Sequence, residues 1–135
     1  MVEGRQSLEA LLYLGKAEES LAAAAADVDA KRYNAAAARS YFACFQAAVA
    51  ALLAEGVLPL AAPRGWTHQF VRGRFEGVLL NARKVYGVRM RGLLHRVAEL
   101  RRDADYGTHA VTERAARRAV GEARGLVEAV AQRLR

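Results

Sequence analysis

Apolar side chains recur at helical spacing along nearly the whole chain, and no stretch alternates polar and apolar residues as a strand would. The pattern predicts five helices, at about residues 6–26, 33–55, 67–82, 88–105 and 112–134. Pro59 and Pro63 mark a loop after the second helix, and Gly107 ends the fourth. We therefore expect an all-α antiparallel bundle of four to five helices, in which residues 1–135 form a single domain.

The second helix is apolar on every face. Between Tyr41 and Leu53 its only strongly polar side chain is Gln46, and its single cysteine, Cys44, is expected to act as a core hydrophobe. A helix of this kind must be covered on all sides, so it should lie at the centre of the bundle. A chain of 135 residues has difficulty covering it alone, which predicts self-association as a twofold dimer.

Charge is unevenly distributed in this chain, whose formal net charge is +7. Residues 64–102 carry 10 basic and 2 acidic side chains, whereas residues 1–63 carry 5 and 7. An excess of this size favours a surface that attracts the phosphates of RNA, DNA or nucleotides. A solvated arginine surface without a ligand fits the same counts, and the few aromatic residues among the arginines permit base stacking without indicating it.

The sequence shows no signal for a membrane span, a metal site or a cofactor. The first residues lack a basic segment followed by an apolar one, and the longest charge-free stretch runs only from Ser40 to Ala54. We expect a cytoplasmic protein that uses neither a metal nor a cofactor.

The run from Leu100 to Gly107 departs from ordinary helix rules. Asp103 and Asp105 fall in the last turn of the fourth helix, where a carboxylate is unfavourable by about 0.3–1 kcal/mol. Arg101 lies on the edge of the apolar stripe, four residues before Asp105. Such a departure is typical of a functional site, but an Arg101–Asp105 ion pair that only stabilises the fold explains the same residues.

Arg39 raises a similar question on the second helix. It shares a face with Ala43 and Gln46, and burying its guanidinium without a partner would cost several kcal/mol. We expect it to meet Asp105 or a bound anion. The predicted cluster therefore consists of Arg39, Arg101, Asp105 and Tyr106.

Two motifs of the chain resemble those of the HEPN domain family. Residues 32–45, RYNAAAARSYFACF, followed by Leu52-Leu53 and Gly56, are similar to the signature helix of that family. Residues 100–107, LRRDADYG, resemble its Arg-x-x-Ala-Asp-Tyr run, and Thr67-His68 resembles the start of its third helix. The similarity covers roughly residues 30–132.

The resemblance implies a helical bundle that dimerises, with a groove between the subunits. Many HEPN proteins are metal-independent RNases or toxins, in which an Arg-x(4–6)-His motif polarises the ribose 2′-hydroxyl and the scissile phosphate. Here Tyr106 stands where the histidine after Arg101 is expected, and a phenol is a poor proton acceptor at neutral pH. Arg102 with His109 also matches the motif, although about one match is expected by chance.

Three functions from different classes stay open at this point. The first is an RNA- or nucleotide-binding HEPN module, paired with a minimal nucleotidyltransferase in a toxin–antitoxin system. Its candidate binding residues are Arg39, His68, Arg101, Asp105 and Tyr106. The second is an RNase toxin, whose candidate catalytic residues are Arg101, Arg102, Tyr106 and His109. The third is a helical adaptor without catalysis, whose arginine surface is incidental.

Overall fold

The computed structural model describes residues 5–135, with side chains from residue 8 onward, and this part of the chain forms five α-helices. Helices α1 to α5 span Arg5–Asp29, Tyr33–Ala54, His68–Arg74, Leu93–Tyr106 and Glu113–Leu134. A π-helix, Phe75–Ala82, continues α3, and a 3-10 turn, Val88–Met90, precedes α4. Apart from one isolated bridge between Leu60 and Gly65, residues 5–135 contain no β-structure. The predicted all-α bundle is confirmed.

Helix α2 lies at the centre of the bundle and contacts α1, α3, α4 and α5. Small side chains at its inner positions, such as Ala43 and Ala47, are fully buried, as is Leu52. The helices of one chain bury most of α2, although Phe42 is 39% exposed, so a second subunit is not needed to cover the rest of the helix. Self-association itself stays a prediction.

The apolar character of α2 matches its place in the core. Within the described part of the chain it is the one helix long and apolar enough to cross a membrane, and 72% of its most apolar window is buried inside the bundle. This burial is expected for the core helix of a folded domain. Cys44 is fully buried there, and burial raises the pKa of its thiol, so it acts as the predicted core hydrophobe.

Three predicted helix ends that frame the site are confirmed. The side chain of Thr67 accepts a hydrogen bond from the Phe70 N–H at 3.2 Å, and that of Thr112 accepts one from Ala115 at 3.1 Å. Gly107 ends α4, and a β-carbon at this position would lie 2.5 Å from the Asp103 carbonyl oxygen. A larger residue there would therefore displace the end of α4.

Helix α4 begins later than its apolar spacing predicts. The spacing places its start near Val88, but the helix begins at Leu93, after Gly92 with a left-handed φ of 76°. The Gly92 N–H donates to the Glu76 carboxylate at 2.9 Å, which ties this point to the π-helix. The predicted start is wrong because the left-handed residue interrupts the helical hydrogen bonds.

Candidate functional site

A pocket of about 260 Å³ opens between α2, α3 and α4. Its lining combines buried apolar side chains with charged side chains that are half-buried or exposed. The lining consists of Tyr41, Phe45, His68, Val71, Arg72, Leu94, Ala98, Arg101, Arg102, Asp105 and Tyr106. Three arginines face one carboxylate, so the pocket carries an excess of positive charge.

Arg101 lies in this pocket with its guanidinium over two aromatic rings. The Cζ atom is 5.1 Å from the centre of the Tyr41 ring and 5.0 Å from that of Phe42. Each such cation–π contact contributes about 0.5–1 kcal/mol at a partly exposed site. These contacts position the guanidinium without using its N–H groups as hydrogen-bond donors.

Asp105 follows Arg101 by one helical turn and pairs with it, as predicted. The Arg101 Nε atom lies 3.4 Å from Asp105 Oδ2, and no hydrogen bond forms at Nε. This ion pair offsets the unfavourable position of the Asp105 carboxylate at the negative end of α4. Asp103 in the same turn is exposed and forms no ion pair among the side chains described, those of residues 8–135. The Nε atom of Arg101 is buried, so the terminal Nη atoms of the guanidinium are the donors available to a ligand.

His68 begins α3 at the wall of the pocket. Its Nδ1 atom forms a hydrogen bond with the Tyr41 hydroxyl, and its ring centre lies 5.4 Å from that of Tyr41 and 4.9 Å from that of Phe45. Desolvation, followed by the charges of Arg101 and Arg72, lowers the pKa of His68 below its ordinary value. A neutral imidazole at physiological pH is able to accept a proton.

Arg39 lies outside the pocket. Its Nε atom is 3.0 Å from Oδ2 of Asp27, a buried acid near the end of α1 that also pairs with Arg32 at 3.0 Å. The expectation that Arg39 joins Asp105 in one cluster is wrong, because an acid on the neighbouring helix satisfies it. The sequence pattern predicts that the first helix ends near residue 26, which places Asp27 in the polar segment after it. In the structure, α1 continues to Asp29.

The other candidate residues divide between the pocket and the solvent. Arg102 and Tyr106 line the pocket, and Tyr106 is 81% exposed. His109 is exposed in the turn between α4 and α5 and does not line the pocket. The structure thus brings together five of the candidate residues, namely His68, Arg101, Arg102, Asp105 and Tyr106.

Three polar or aromatic lining residues are absent from the sequence-based candidates: Tyr41, Phe45 and Arg72. Arg72 follows His68 by four residues, and this helical spacing is a signal that would have placed both on one face. Tyr41 and Phe45 have the pattern of ordinary core residues. The hydrogen bond between Tyr41 and His68 joins residues 27 positions apart, so it arises from tertiary packing alone.

The arrangement suits an anion that also has an aromatic or apolar part. Arg72, Arg101 and Arg102 supply planar, charged donors of the kind that bind phosphate. The ring of Phe45, which is half-buried, offers aromatic surface for a ribose or a base, whereas Tyr41 is buried beneath Arg101 and His68. Within residues 5–135 no group of three or more His, Cys, Asp or Glu side chains could hold a metal ion.

The model of one protein family, described as HEPN domain, matches residues 10–134 of the chain. The match runs from α1 to the last residue of α5, and it includes every residue that lines the pocket. No curated protein matches the chain significantly.

Replacing Arg101 with methionine should raise the pKa of His68 toward its ordinary value. The methionine side chain keeps an apolar contact with the aromatic rings, while the positive charge beside the imidazole is removed. The rise should be partial, because desolvation is the largest cause of the shift. An NMR titration of the histidine ring protons measures this effect.

The matched control for this titration is Arg96→Met. Arg96 lies on the same helix but pairs with Glu122 of α5, at 3.3 Å, and does not line the pocket. The pKa of His68 should stay at its wild-type value in this variant. A pKa that is also unchanged in Arg101→Met would show that the Arg101 charge does not act on His68.

Proposed function

This chain belongs to the HEPN domain family, and we propose that it binds a nucleotide unit of RNA in the pocket between α2, α3 and α4. The observation that best supports the proposal is the position of Arg101. Its guanidinium lies over Tyr41 and Phe42, beside one carboxylate, and no hydrogen bond forms at its Nε atom. Arg72 and Arg102 add two positive charges at the same place.

The surroundings of the pocket also favour a phosphate. Residues 64–102 contain only two acids, Glu76 and Glu99. Glu76 accepts the hydrogen bond from Gly92, and Glu99 lies 3.0 Å from Nε2 of His95. Neither acid contacts the arginines of the pocket, so the positive field reaches the solvent, where it attracts the RNA backbone.

The variant Arg101→Met should weaken the binding of both a 5′-mononucleotide and a short single-stranded RNA by about tenfold or more. A hydrogen bond to a charged group contributes about 1.5–3 kcal/mol, and 1.4 kcal/mol corresponds to a factor of ten. The slope of log affinity against log salt concentration should also decrease by roughly 0.7–1 for RNA. Calorimetry with the nucleotide and fluorescence anisotropy with labelled RNA measure both effects.

Arg117→Met serves as the matched control for binding. Arg117 is an exposed arginine of α5 whose Nε pairs with Glu113 at 2.8 Å, outside the pocket. Its removal should leave both affinities within about twofold of wild type, since it lacks contact with the site. Equal affinities in the wild type and in Arg101→Met would contradict the proposal.

A second candidate function is metal-independent RNA cleavage, which the position of His68 beside Arg101 favours. With Nδ1–H donating to the Tyr41 hydroxyl, Nε2 of His68 takes the proton of the ribose 2′-hydroxyl. The 2′-oxygen attacks the adjacent phosphorus, and the bond from phosphorus to the 5′-oxygen breaks. The hydroxyl of Tyr106 donates its proton to the leaving oxygen. The products are a 2′,3′-cyclic phosphate and a 5′-hydroxyl.

Cleavage of RNA should persist in EDTA and disappear in His68→Ala. Because the pKa of His68 is lowered, the imidazole is neutral at pH 7, and the rate should fall only as the pH drops below the ordinary histidine value of 6.5. Gel electrophoresis of end-labelled RNA measures the rate. His109→Ala is the control, and it should cleave like the wild type. Absence of cleavage by the wild type, or its loss in His109→Ala alone, would count against this function.

The same proposal includes a partner protein and a cellular compartment. A minimal nucleotidyltransferase of a toxin–antitoxin pair is proposed on the family resemblance, and the cytoplasm is the compartment in which the protein would meet RNA.

We also propose that the chain associates with a second copy of itself. This is supported by Leu8, Leu11 and Leu12 of α1, which share one face and are 66%, 40% and 66% exposed. Without RNA binding or cleavage, the helical adaptor would be the remaining function.

Light scattering at tens of micromolar should give the mass of a dimer for the wild type and that of a monomer for Leu12→Glu. A charge on the face formed by Leu8, Leu11 and Leu12 would be desolvated in the interface, at a cost that exceeds its pairing energy. Leu58→Glu changes a leucine of similar exposure in the loop after α2, and it should remain dimeric. A monomeric wild type would refute self-association.

A further inference from the structure

We propose that α3 carries a second RNA subsite, formed by Trp66, Phe70 and Arg74, on the side of the helix away from the pocket. The inference rests on the proposed binding of RNA. The ring centres of Trp66 and Phe70 are 6.1 Å apart, and the Arg74 guanidinium lies 5.5 Å from the centre of the Phe70 ring. Together the three side chains form a strip, here called the α3 strip, that combines aromatic surface with positive charge.

Packing of the core accounts for only part of the α3 strip. Trp66 packs in part against the hydrophobic core, whereas Phe70 belongs to neither core cluster of the described chain. The ring contacts of Phe70 are those with Trp66 and Arg74. Arg74 is exposed and forms no ion pair with any side chain of residues 8–135, so its charge is available to a partner. A strip of this kind is more readily explained by binding than by folding.

The charge around the α3 strip favours single-stranded RNA as its occupant. No acidic residue occurs between Glu55 and Glu76, while Arg64 and Arg74 both lie in this interval. Arginine side chains attract the phosphates, and bases stack on aromatic rings with little dependence on sequence. RNA therefore uses both properties of the strip, whereas another polyanion would use only its charge.

The α3 strip and the pocket lie on opposite flanks of one short helix. His68 and Arg72 line the pocket, and Phe70 lies roughly 200° further round the helix than His68. Gly73 lies on the helix surface between these two sides, and a β-carbon at this position would meet no atom within 4 Å. An RNA strand with one nucleotide in the pocket can therefore cross α3 at Gly73 and place its following bases on the strip.

The single tryptophan of the chain makes this subsite directly observable. Uridine monophosphate, which occupies the pocket alone, should leave the fluorescence of Trp66 unchanged. A 2′-O-methyl hexauridylate, which resists cleavage through the 2′-oxygen, should reach the α3 strip and quench the fluorescence by stacking. Titrations with both ligands give the two affinities and the quenching from the same samples.

Phe70→Ala should weaken binding of the hexauridylate by about fivefold or more and leave the affinity for uridine monophosphate unchanged. Arg74→Gln should have the same direction of effect, with a smaller salt dependence than the wild type. Tyr13→Ala is the matched control, since Lys16 Nζ lies 5.1 Å from that ring on α1, outside the pocket lining. It should bind both ligands like the wild type, and thermal melting shows that each variant is folded.

The possible results separate this subsite from the proposed function. The subsite is overturned if hexauridylate binds without quenching Trp66, or if it binds Phe70→Ala as tightly as the wild type. If uridine monophosphate still binds, the proposed function of the pocket stands in either case. Quenching by uridine monophosphate alone also overturns it, because the base would then occupy the strip directly. Equal quenching by an acidic peptide would assign the strip to a protein partner. If neither uridine monophosphate nor hexauridylate binds, both the proposed nucleotide binding in the pocket and the second subsite are refuted.

Discussion

The need to cover α2 on all sides determines where the other helices lie. Its inner positions are small, and Ala36, Ala43 and Ala47 are fully buried. Small side chains allow neighbouring helices to approach closely, and the many weak contacts of close packing add up to a large favourable energy. The other helices consequently pack around α2, and the pocket opens where α3 and α4 contact this helix.

Polar side chains on α2 decide how the neighbouring helices are aligned with it. Arg39 forms an ion pair with Asp27 of α1. Gln46 forms a hydrogen bond with the Ser20 hydroxyl, also of α1, at 2.7 Å. On another face the Tyr41 hydroxyl bonds His68 of α3. Because a buried polar group without a partner costs free energy, each of these pairs disfavours a shift of the helices along α2. The alignment that results places His68 next to Arg101.

The pocket is positively charged because its one acid is engaged by one of three arginines. Asp105 lies at the end of α4 where the helix dipole disfavours it, and the charge of Arg101 compensates. In return the carboxylate and the rings of Tyr41 and Phe42 limit the positions that the guanidinium can adopt. An arginine that is oriented before a ligand arrives loses less conformational entropy on binding. The same ion pair thus stabilises the end of the helix and prepares the site.

Features that depend on neighbours within a few turns were determined by the sequence itself. The five helices, the threonine caps, the stop at Gly107 and the Arg101–Asp105 pair all follow from helical periodicity and backbone chemistry. Periodicity also showed that α2 belongs at the centre, because only this helix is apolar all round. The spacing of His68 and Arg72 carried the same kind of signal for part of the pocket.

Contacts between helices were decided only by the tertiary structure. The partner of Arg39, the bond between Tyr41 and His68 and the late start of α4 depend on how far each helix is rotated and displaced relative to α2. Residue spacing along one helix contains no information on that displacement. Arg39 illustrates the point, since its charge predicted an acidic partner correctly. Which acid it meets depended on α1 lying closer to it than the end of α4.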